Sequence, residues 1–391
     1  MATNLRRAAG ELLVVGLGGT ELTGLERAWL RLVRPGGVIL FKRNVKDVAQ
    51  THALLDEATG LSAPHSVRCV DVEGGTVNRL RDALGAMPSA QAVGAAMRRP
   101  TLSQEKRRKN GALRDSRLAR EFGELIAQGV KAFGFNTTLA PVVDLALPEA
   151  AEVLGSRPPG AIAAEVVPFA QGFLEGLSAQ GVIGCGKHFP GLGGATGDTH
   201  FVTPEIERTW QQLWNEDLVP YRDLHAAMPM IMMNHAAYPH TPGGNCPASA
   251  SAFWITNVLR KRIGYRGIIL SDDLEMGGIL KFLPVDEAAV AAVRAGSDLL
   301  EICHSAELIL RSYEALISEA ERSVAFRNLL LARSREVARK RQRLYKQGVA
   351  RALTAKQFQA LQARVVRFRE RIAASEADAI SPRAVAPAEI S

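Results

Sequence analysis

The sequence has only four cysteines in 391 residues (Cys69, Cys185, Cys246 and Cys303), and none is paired as CxxC or set at metal-ligand spacing. This excludes a disulfide scaffold and predicts no metal site. Three of the four lie in or beside apolar runs, where a free thiol behaves as a small apolar group. No apolar stretch approaches the roughly 18–20 residues needed to span a bilayer. A tight glycine-rich phosphate loop is also missing, since Gly16-Leu17-Gly18-Gly19 is too loose a match. Arg6-Arg7 ahead of the run Leu12–Gly19 suggests a twin-arginine export signal. Against that, Glu11 interrupts the segment, the run is short and no small-residue cleavage site follows. The run therefore reads as a first buried strand, and the protein as cytoplasmic. Acidic residues are scarce toward the C-terminus: from residue 321 onward 16 Lys/Arg face 6 Asp/Glu, more than the whole formal excess of +8. Such a tail invites nucleic acid as a partner. Only Tyr345, Phe358 and Phe368 interleave it, however, and a solvated helical face or a dimer contact fits better.

What is present is an alternation of short apolar runs with amphipathic stretches, the pattern of repeated βα units. The predicted strands are Leu12–Leu17, Gly37–Phe41, Val67–Val70, Thr138–Val143, Val182–Gly186, Met230–Met233, Gly267–Leu270 and Asp298–Ile302. Helical patterns include Arg117–Phe133, Ala161–Ala179, Ile255–Ile263 and Val285–Ala295. Eight such units predict an α/β fold, a (β/α)8 TIM barrel, with a C-terminal helical extension. Its expected parts are a catalytic barrel over 1–320, a basic helical extension over 321–374 and a disordered tail over 375–391. Arg98–Asn110, basic and without periodic apolar residues, reads as an exposed loop.

Barrel active sites are built at the C-terminal strand ends, and polar groups gather there. Asp71 follows the third strand, Asp144 the fourth, Lys187-His188 the fifth, Asn234-His235 the sixth, Ser271-Asp272-Asp273 the seventh and His304 the eighth. The densest stretch runs from Lys187 through a glycine-rich loop to Asp198-Thr199-His200. On such a loop the Asp198 carboxylate can reach the His200 imidazole and fix its tautomer; a surface loop with incidental polar residues is the alternative. Asp272, ending an apolar strand, suits a nucleophile, metal ligand or hydroxyl binder, while Ser271 or Asp273 suits a helix cap. Asp71, Glu73, Arg79 and Arg81 offer carboxylates and guanidinium groups fit for hydroxyls or a ligand acid. His235 is either a buried, hydrogen-bonded histidine or a substrate contact, and His304 a structural or rim residue. His52, His65, His225 and His240 read as surface. Met228, Met230, Met232 and Met233 read as core filling.

These segments resemble family 3 glycoside hydrolases over residues 10–320, in particular the single-domain bacterial branch that releases N-acetylglucosamine. The resemblance rests on motifs in the expected order and spacing. They are Val15-Gly16-Leu17 with Gly19-Thr20-Glu21-Leu22-Thr23, then Pro35–Phe41, Asp71-x-Glu73-Gly74-Gly75 with Arg79, Leu139–Asp144, Gly155-Ser156-Arg157, Lys187–His200 and Gly267–Asp272. It implies Asp272 as the nucleophile and His200, oriented by Asp198, as general acid/base in place of the usual second carboxylate. Asp71, Arg79, Arg157, Lys187 and His188 would hold the sugar hydroxyls and N-acetyl group. Four departures are visible: Leu192 where many members have His, Thr76 for a frequent Arg, Pro158-Pro159 for a usual Ser-Phe, and Gly197 before Asp198. None removes a reacting group.

The implied activity is a retaining exo-β-N-acetylglucosaminidase acting on terminal β-linked N-acetylglucosamine of muropeptide fragments, with no cofactor and no metal. A histidine acid/base does not repel an anionic acceptor, so a phosphorylase yielding the sugar 1-phosphate is the second reading. A catalytically silent barrel binding amino sugars or a protein is the third, and Asp198, His200 and Asp272 argue against it. The family's β-glucosidases usually carry a second α/β domain, for which no room remains. The partner expected is a small carbohydrate, with no nucleic acid and no membrane, and the protein a monomer or homodimer.

Overall fold

The computed structural model describes residues 2–98, 116–196, 204–346 and 353–380. Asp198 and His200 lie outside them, as do most of the 98–110 segment and the chain from 381 onward. Every predicted strand is present: β1 (Leu13–Gly16), β2 (Gly37–Leu40), β3 (Val67–Val70), β4 (Thr137–Thr138), β5 (Ile183–Phe189), β6 (Met230–Met233), β7 (Ile268–Asp273) and β8 (Leu299–Ile302). They pair in parallel and in chain order, and β8 closes on β1 through Leu13↔Leu300 and Val15↔Ile302. Parallel neighbours need crossover connections, and the outer helices supply them, Arg117–Ala132, Ala163–Ala179 and Val285–Ala295 among them. The result is a (β/α)8 barrel.

Side chains pointing inward fill the barrel, with Val14, Ile39, Val67, Leu139, Met230, Met232, Ile268, Leu270 and Leu299 beside Cys69, Cys185 and Cys303. The three thiols are free and buried, filling gaps that larger side chains would overfill. β4 is much shorter than the predicted Thr138–Val143. Pro141 has no N–H to give the ladder, although the Ala140 and Pro141 carbonyls still accept from Cys185 and Lys187, and a regular bridge returns at Val142, opposite Lys187. The interruption still delivers Asp144 to the mouth.

Two elements close the base. Helix Ala2–Glu11, which contains Arg6 and Arg7 and is not predicted from the sequence, buries Leu5, Ala8 and Ala9 ahead of β1. Helix Val324–Leu344 brings Val337, Leu344 and Tyr345 against the barrel interior, and the Tyr345 hydroxyl lies 2.8 Å from the Thr137 Oγ1. Much of its basic charge is turned inward. Arg333 and Lys340 bond the buried Asp298 at 3.0 Å each, and Arg341, 1% exposed, donates to the Gly36 carbonyl at 2.9 Å. A last helix, Ala355–Ile380, runs past the predicted end of the extension. It buries Leu361, Val365, Phe368 and Ile372, one face at helical spacing, and Phe368 stacks on Phe122 at 5.7 Å. Among the described residues no helix is long and apolar enough to cross a membrane.

Candidate active site

Because all eight strands run the same way, their C-terminal ends share one face, and a cavity of about 600 Å³ opens there. Asp71, Arg79, Arg157, Lys187, His188 and Asp272, predicted from separate segments, all line it. Glu73, which the sequence offers as a carboxylate fit for hydroxyls, lines it too, as does Glu301, which the sequence does not single out, and Asp144 lies just behind. Glu73 arrives on a two-stranded hairpin, Val72–Gly74 with Val77–Asn78, folded back over the end of β3. The hairpin requires Gly74: its φ is 93°, and a Cβ there would lie 2.4 Å from the Pro88 carbonyl oxygen.

One connected network forms the wall. Lys187 Nζ bonds Asp71 Oδ1 at 2.8 Å and pairs with Glu73 Oε1 at 2.7 Å. Arg157 grips Glu73 with two parallel bonds of 2.9 Å, the bidentate geometry that suits a carboxylate. Its Nη2 also lies 3.1 Å from His188 Nε2, while His188 Nδ1 lies 2.7 Å from Asp144 Oδ2. Arginine has only donors, so Nε2 accepts and Nδ1 carries the proton that Asp144 receives. Asp144 further accepts from the backbone N–H groups of His188 and Leu192, at 3.2 and 2.8 Å. Burial alone would neutralise these groups. Arg157 and Lys187 nevertheless hold the Glu73 carboxyl well below its usual range, and Asp71 and Glu73 hold the Lys187 ammonium well above its own. Glu73 and Lys187 therefore keep their charges despite burial.

Asp272 faces this wall from the end of β7 and remains partly exposed. Burial pushes its carboxyl up, but the pull of His188, His235 and Lys187 outweighs burial and holds it below the usual range. Among the described residues it makes no ion pair; its Oδ1 accepts only the Asp273 N–H, at 2.9 Å. Its neighbours have other tasks. Ser271 Oγ accepts from the Glu301 N–H, and Asp273 Oδ1 accepts from the N–H groups of Glu275 and Cys303. Desolvation pushes Asp273 up to about 7. His235 is fully buried, with Nδ1 2.7 Å from Ser249 Oγ and Nε2 3.0 Å from the Asp273 carbonyl oxygen. Burial lowers its pKa, and both ring nitrogens are hydrogen-bonded within the core.

Arg79 stands at the rim, its Nε 4.0 Å from Asp71 Oδ2 and its side chain 38% exposed. Phe41, Arg43 and His304 complete the rim: Arg43 donates to the Cys303 carbonyl at 2.7 Å, and His304 lies 5.3 Å from the Phe41 ring. The glycine-rich loop leaves β5 with Leu192 bonded to Asp144, and the chain is described again from Pro204, where the Ile206 N–H donates to the Ala237 carbonyl beyond β6. Among the described residues, no three His, Cys, Asp or Glu side chains stand close enough to share a metal ion.

The arrangement offers one accessible, ionised carboxylate opposite a rigid set of charged hydrogen-bonding groups. This suits attack at an electrophilic carbon of a molecule rich in hydroxyls. Known proteins with similar sequences point the same way. A beta-hexosaminidase of Idiomarina loihiensis is 35% identical over 292 residues, covering 75% of this chain and 83% of the relative. One of Chromobacterium violaceum is 36% identical over 298 residues, covering 75% and 79%. Among solved structures, NagZ from Neisseria gonorrhoeae in complex with N-trifluoroacetyl-D-glucosamine superposes with a TM-score of 0.72 at 28% identity, covering 92% of this chain and 98% of that one. A glycoside hydrolase family 3 β-N-acetylglucosaminidase from Paenibacillus sp. gives 0.80 at 28% identity, covering 93% and 68%. The model of the glycosyl hydrolase family 3 N-terminal domain matches residues 4–337, which takes in every strand of the barrel and most of the helix beneath it, and the chain belongs to that family.

Proposed function

We propose that this glycoside hydrolase is a retaining exo-β-N-acetylglucosaminidase that removes terminal β-linked N-acetylglucosamine. The observation that carries the reading is the ionised, partly exposed Asp272 facing, in one cavity, the Asp71–Lys187–Glu73–Arg157–His188 network that Asp144 backs. In the first step an Asp272 carboxylate oxygen bonds the anomeric carbon, the glycosidic C–O bond breaks, and His200 gives its proton to the leaving oxygen. In the second, His200 takes a proton from water as the water oxygen bonds the same carbon and Asp272 leaves. Two inversions give net retention. Asp198 orients His200. Asp71, Lys187, Arg157, His188 and Arg79 hold the hydroxyls and N-acetyl group, supported by donors and acceptors already fixed before the sugar arrives. The proposed substrates are muropeptide fragments in the cytoplasm, turned over by a monomer or homodimer without cofactor or metal.

The test is release of 4-nitrophenol from its β-N-acetylglucosaminide, with and without phosphate, with the sugar product followed by NMR. The β anomer of N-acetylglucosamine appearing first supports the reading, and the α anomer appearing first would remove Asp272 from its role. Sugar 1-phosphate in phosphate buffer would make the enzyme a phosphorylase. Absence of any product from folded protein would leave a silent, sugar-binding barrel.

A further inference from the structure

The inner end of the cavity is apolar, formed by Ile39, Leu139, Met232 and Cys303, all buried side chains. One carboxyl interrupts it. Glu301 sits on β8, in register with Asp273 on β7, and its side chain crosses the barrel toward β3. It is 2% exposed and lines the cavity, yet its only side-chain partner among the described residues is the Cys69 thiol, 4.0 Å from Oε1. A thiol is a weak donor. A carboxyl withdrawn from water without a proper partner is destabilising, and an apolar side chain would fill this place without that cost. Its place on the cavity wall leaves it open to a partner that a ligand would bring.

Which part of the ligand arrives follows from the shape of the site. In a pocket with one mouth, the leaving group must point outward, so the opposite edge of the sugar enters first. We propose that Glu301 closes the blind end of the pocket and hydrogen-bonds a hydroxyl of the bound sugar on the edge opposite the scissile bond. Burial, together with the carboxylates Asp71, Asp272 and Asp273, pushes the Glu301 carboxyl well above its usual range and so favours its protonated form, against the opposing pull of Lys187. A protonated carboxyl both donates and accepts, as a sugar hydroxyl does. Glu301 is thus a specificity residue beside the ionised network, and it gives the pocket a neutral contact where another carboxylate would repel Asp272.

This inference rests on the glycosidase reading. Its test compares kcat/KM for 4-nitrophenyl β-N-acetylglucosaminide with those of its 3-deoxy, 4-deoxy and 6-deoxy analogues, in the wild type, Glu301→Gln and Glu301→Leu. For the contacted hydroxyl, the wild type and Glu301→Gln should each lose about tenfold or more on deletion, and Glu301→Leu less than about threefold. Glu301→Ala provides the same comparison if the leucine variant folds poorly, with thermal melting as the check. Equal penalties for all three analogues in the wild type and Glu301→Leu would overturn the inference, and so would a glutamine variant indistinguishable from the leucine one. Titration calorimetry with N-acetylglucosamine separates the two levels of failure. A wild type that neither binds nor turns over the parent sugar removes the glycosidase reading and this one with it. A wild type that does both, without coupling at Glu301, removes this inference alone.

Discussion

Two clusters of buried charge occupy opposite ends of the same barrel. At the base, Asp298 is fully buried and bound by Arg260 at 2.6 Å, by Arg333 and Lys340 at 3.0 Å each, and by the Ile269 N–H at 3.0 Å. At the mouth, Glu73, Arg157 and Lys187 are bound just as tightly, but among the described residues Asp272 has no ion-pair partner, and Arg79 stays half-open to solvent. Both clusters use carboxylates, guanidinium groups and an ammonium. At the base the Asp298 carboxylate is taken up by cations from two helices and by a strand N–H, so the cluster joins elements. At the mouth the inner members are bound to one another and the outer ones face a cavity, the arrangement the proposed reaction would use. Residue type does not distinguish the two tasks; unfilled valence beside an opening does.

If that separation is real, variants at the two ends should fail in different ways. Asp272→Ala should lose at least about a thousandfold in kcat with little change in melting temperature. More than one-thousandth of wild-type turnover would sink the nucleophile assignment. His200→Ala should lose about a hundredfold on substrates with poor leaving groups and much less on activated aryl glycosides; equal losses on both would take His200 out of the acid role. Asp298→Asn leaves three cations without their carboxylate, and urea unfolding should show a loss of about 3 kcal/mol while kcat stays near the wild-type value. A large fall in kcat there would blur the two ends.

The smallest effect is on the pH dependence of stability. Three cations hold Asp298 below its unfolded value, although burial pushes it up. A depressed carboxyl contributes stability that is present above its unfolded pKa, about 4, and is lost as pH falls through the folded value. Denaturant midpoints between about pH 2 and pH 5 should therefore fall less steeply with acid in Asp298→Asn than in the wild type. Parallel slopes would mean that the base cluster is not what acid attacks.

The strands were readable because a parallel barrel buries both faces, leaving near-continuous apolar runs such as Ile268-Ile269-Leu270 and Met230-Ile231-Met232-Met233. Their C-terminal ends then located Asp71, Lys187, His188 and Asp272. β5 runs on through Lys187 and His188, which the sequence places after it, because pairing with β6 continues as far as Phe189↔Met233. Glu73 was harder to assign: its role depends on a hairpin that folds back, and no periodicity announces a strand of so few residues. Asp144 was visible as a strand end, but its bond to His188 joins segments 44 residues apart. Glu301 did leave a signal, a single carboxylate within Leu299-Leu300-Glu301-Ile302, where an apolar residue would serve the strand. The basic tail misled in a more general way, since composition does not reveal that Arg333, Lys340 and Arg341 turn inward.

The helix beneath the barrel also bears on the order of synthesis. Ser334 bonds Glu11 across 323 residues of sequence, Arg341 bonds the Gly36 carbonyl across 305, and Tyr345 meets Thr137 across 208. The first strand leaves the ribosome long before the groups that complete its surroundings exist. A chain stopped at residue 320 has all eight strands but leaves Glu11, the Gly36 carbonyl and the Thr137 hydroxyl without these partners, and deprives Asp298 of two of its three cations. Completion of the barrel's base thus waits on residues translated after its last strand.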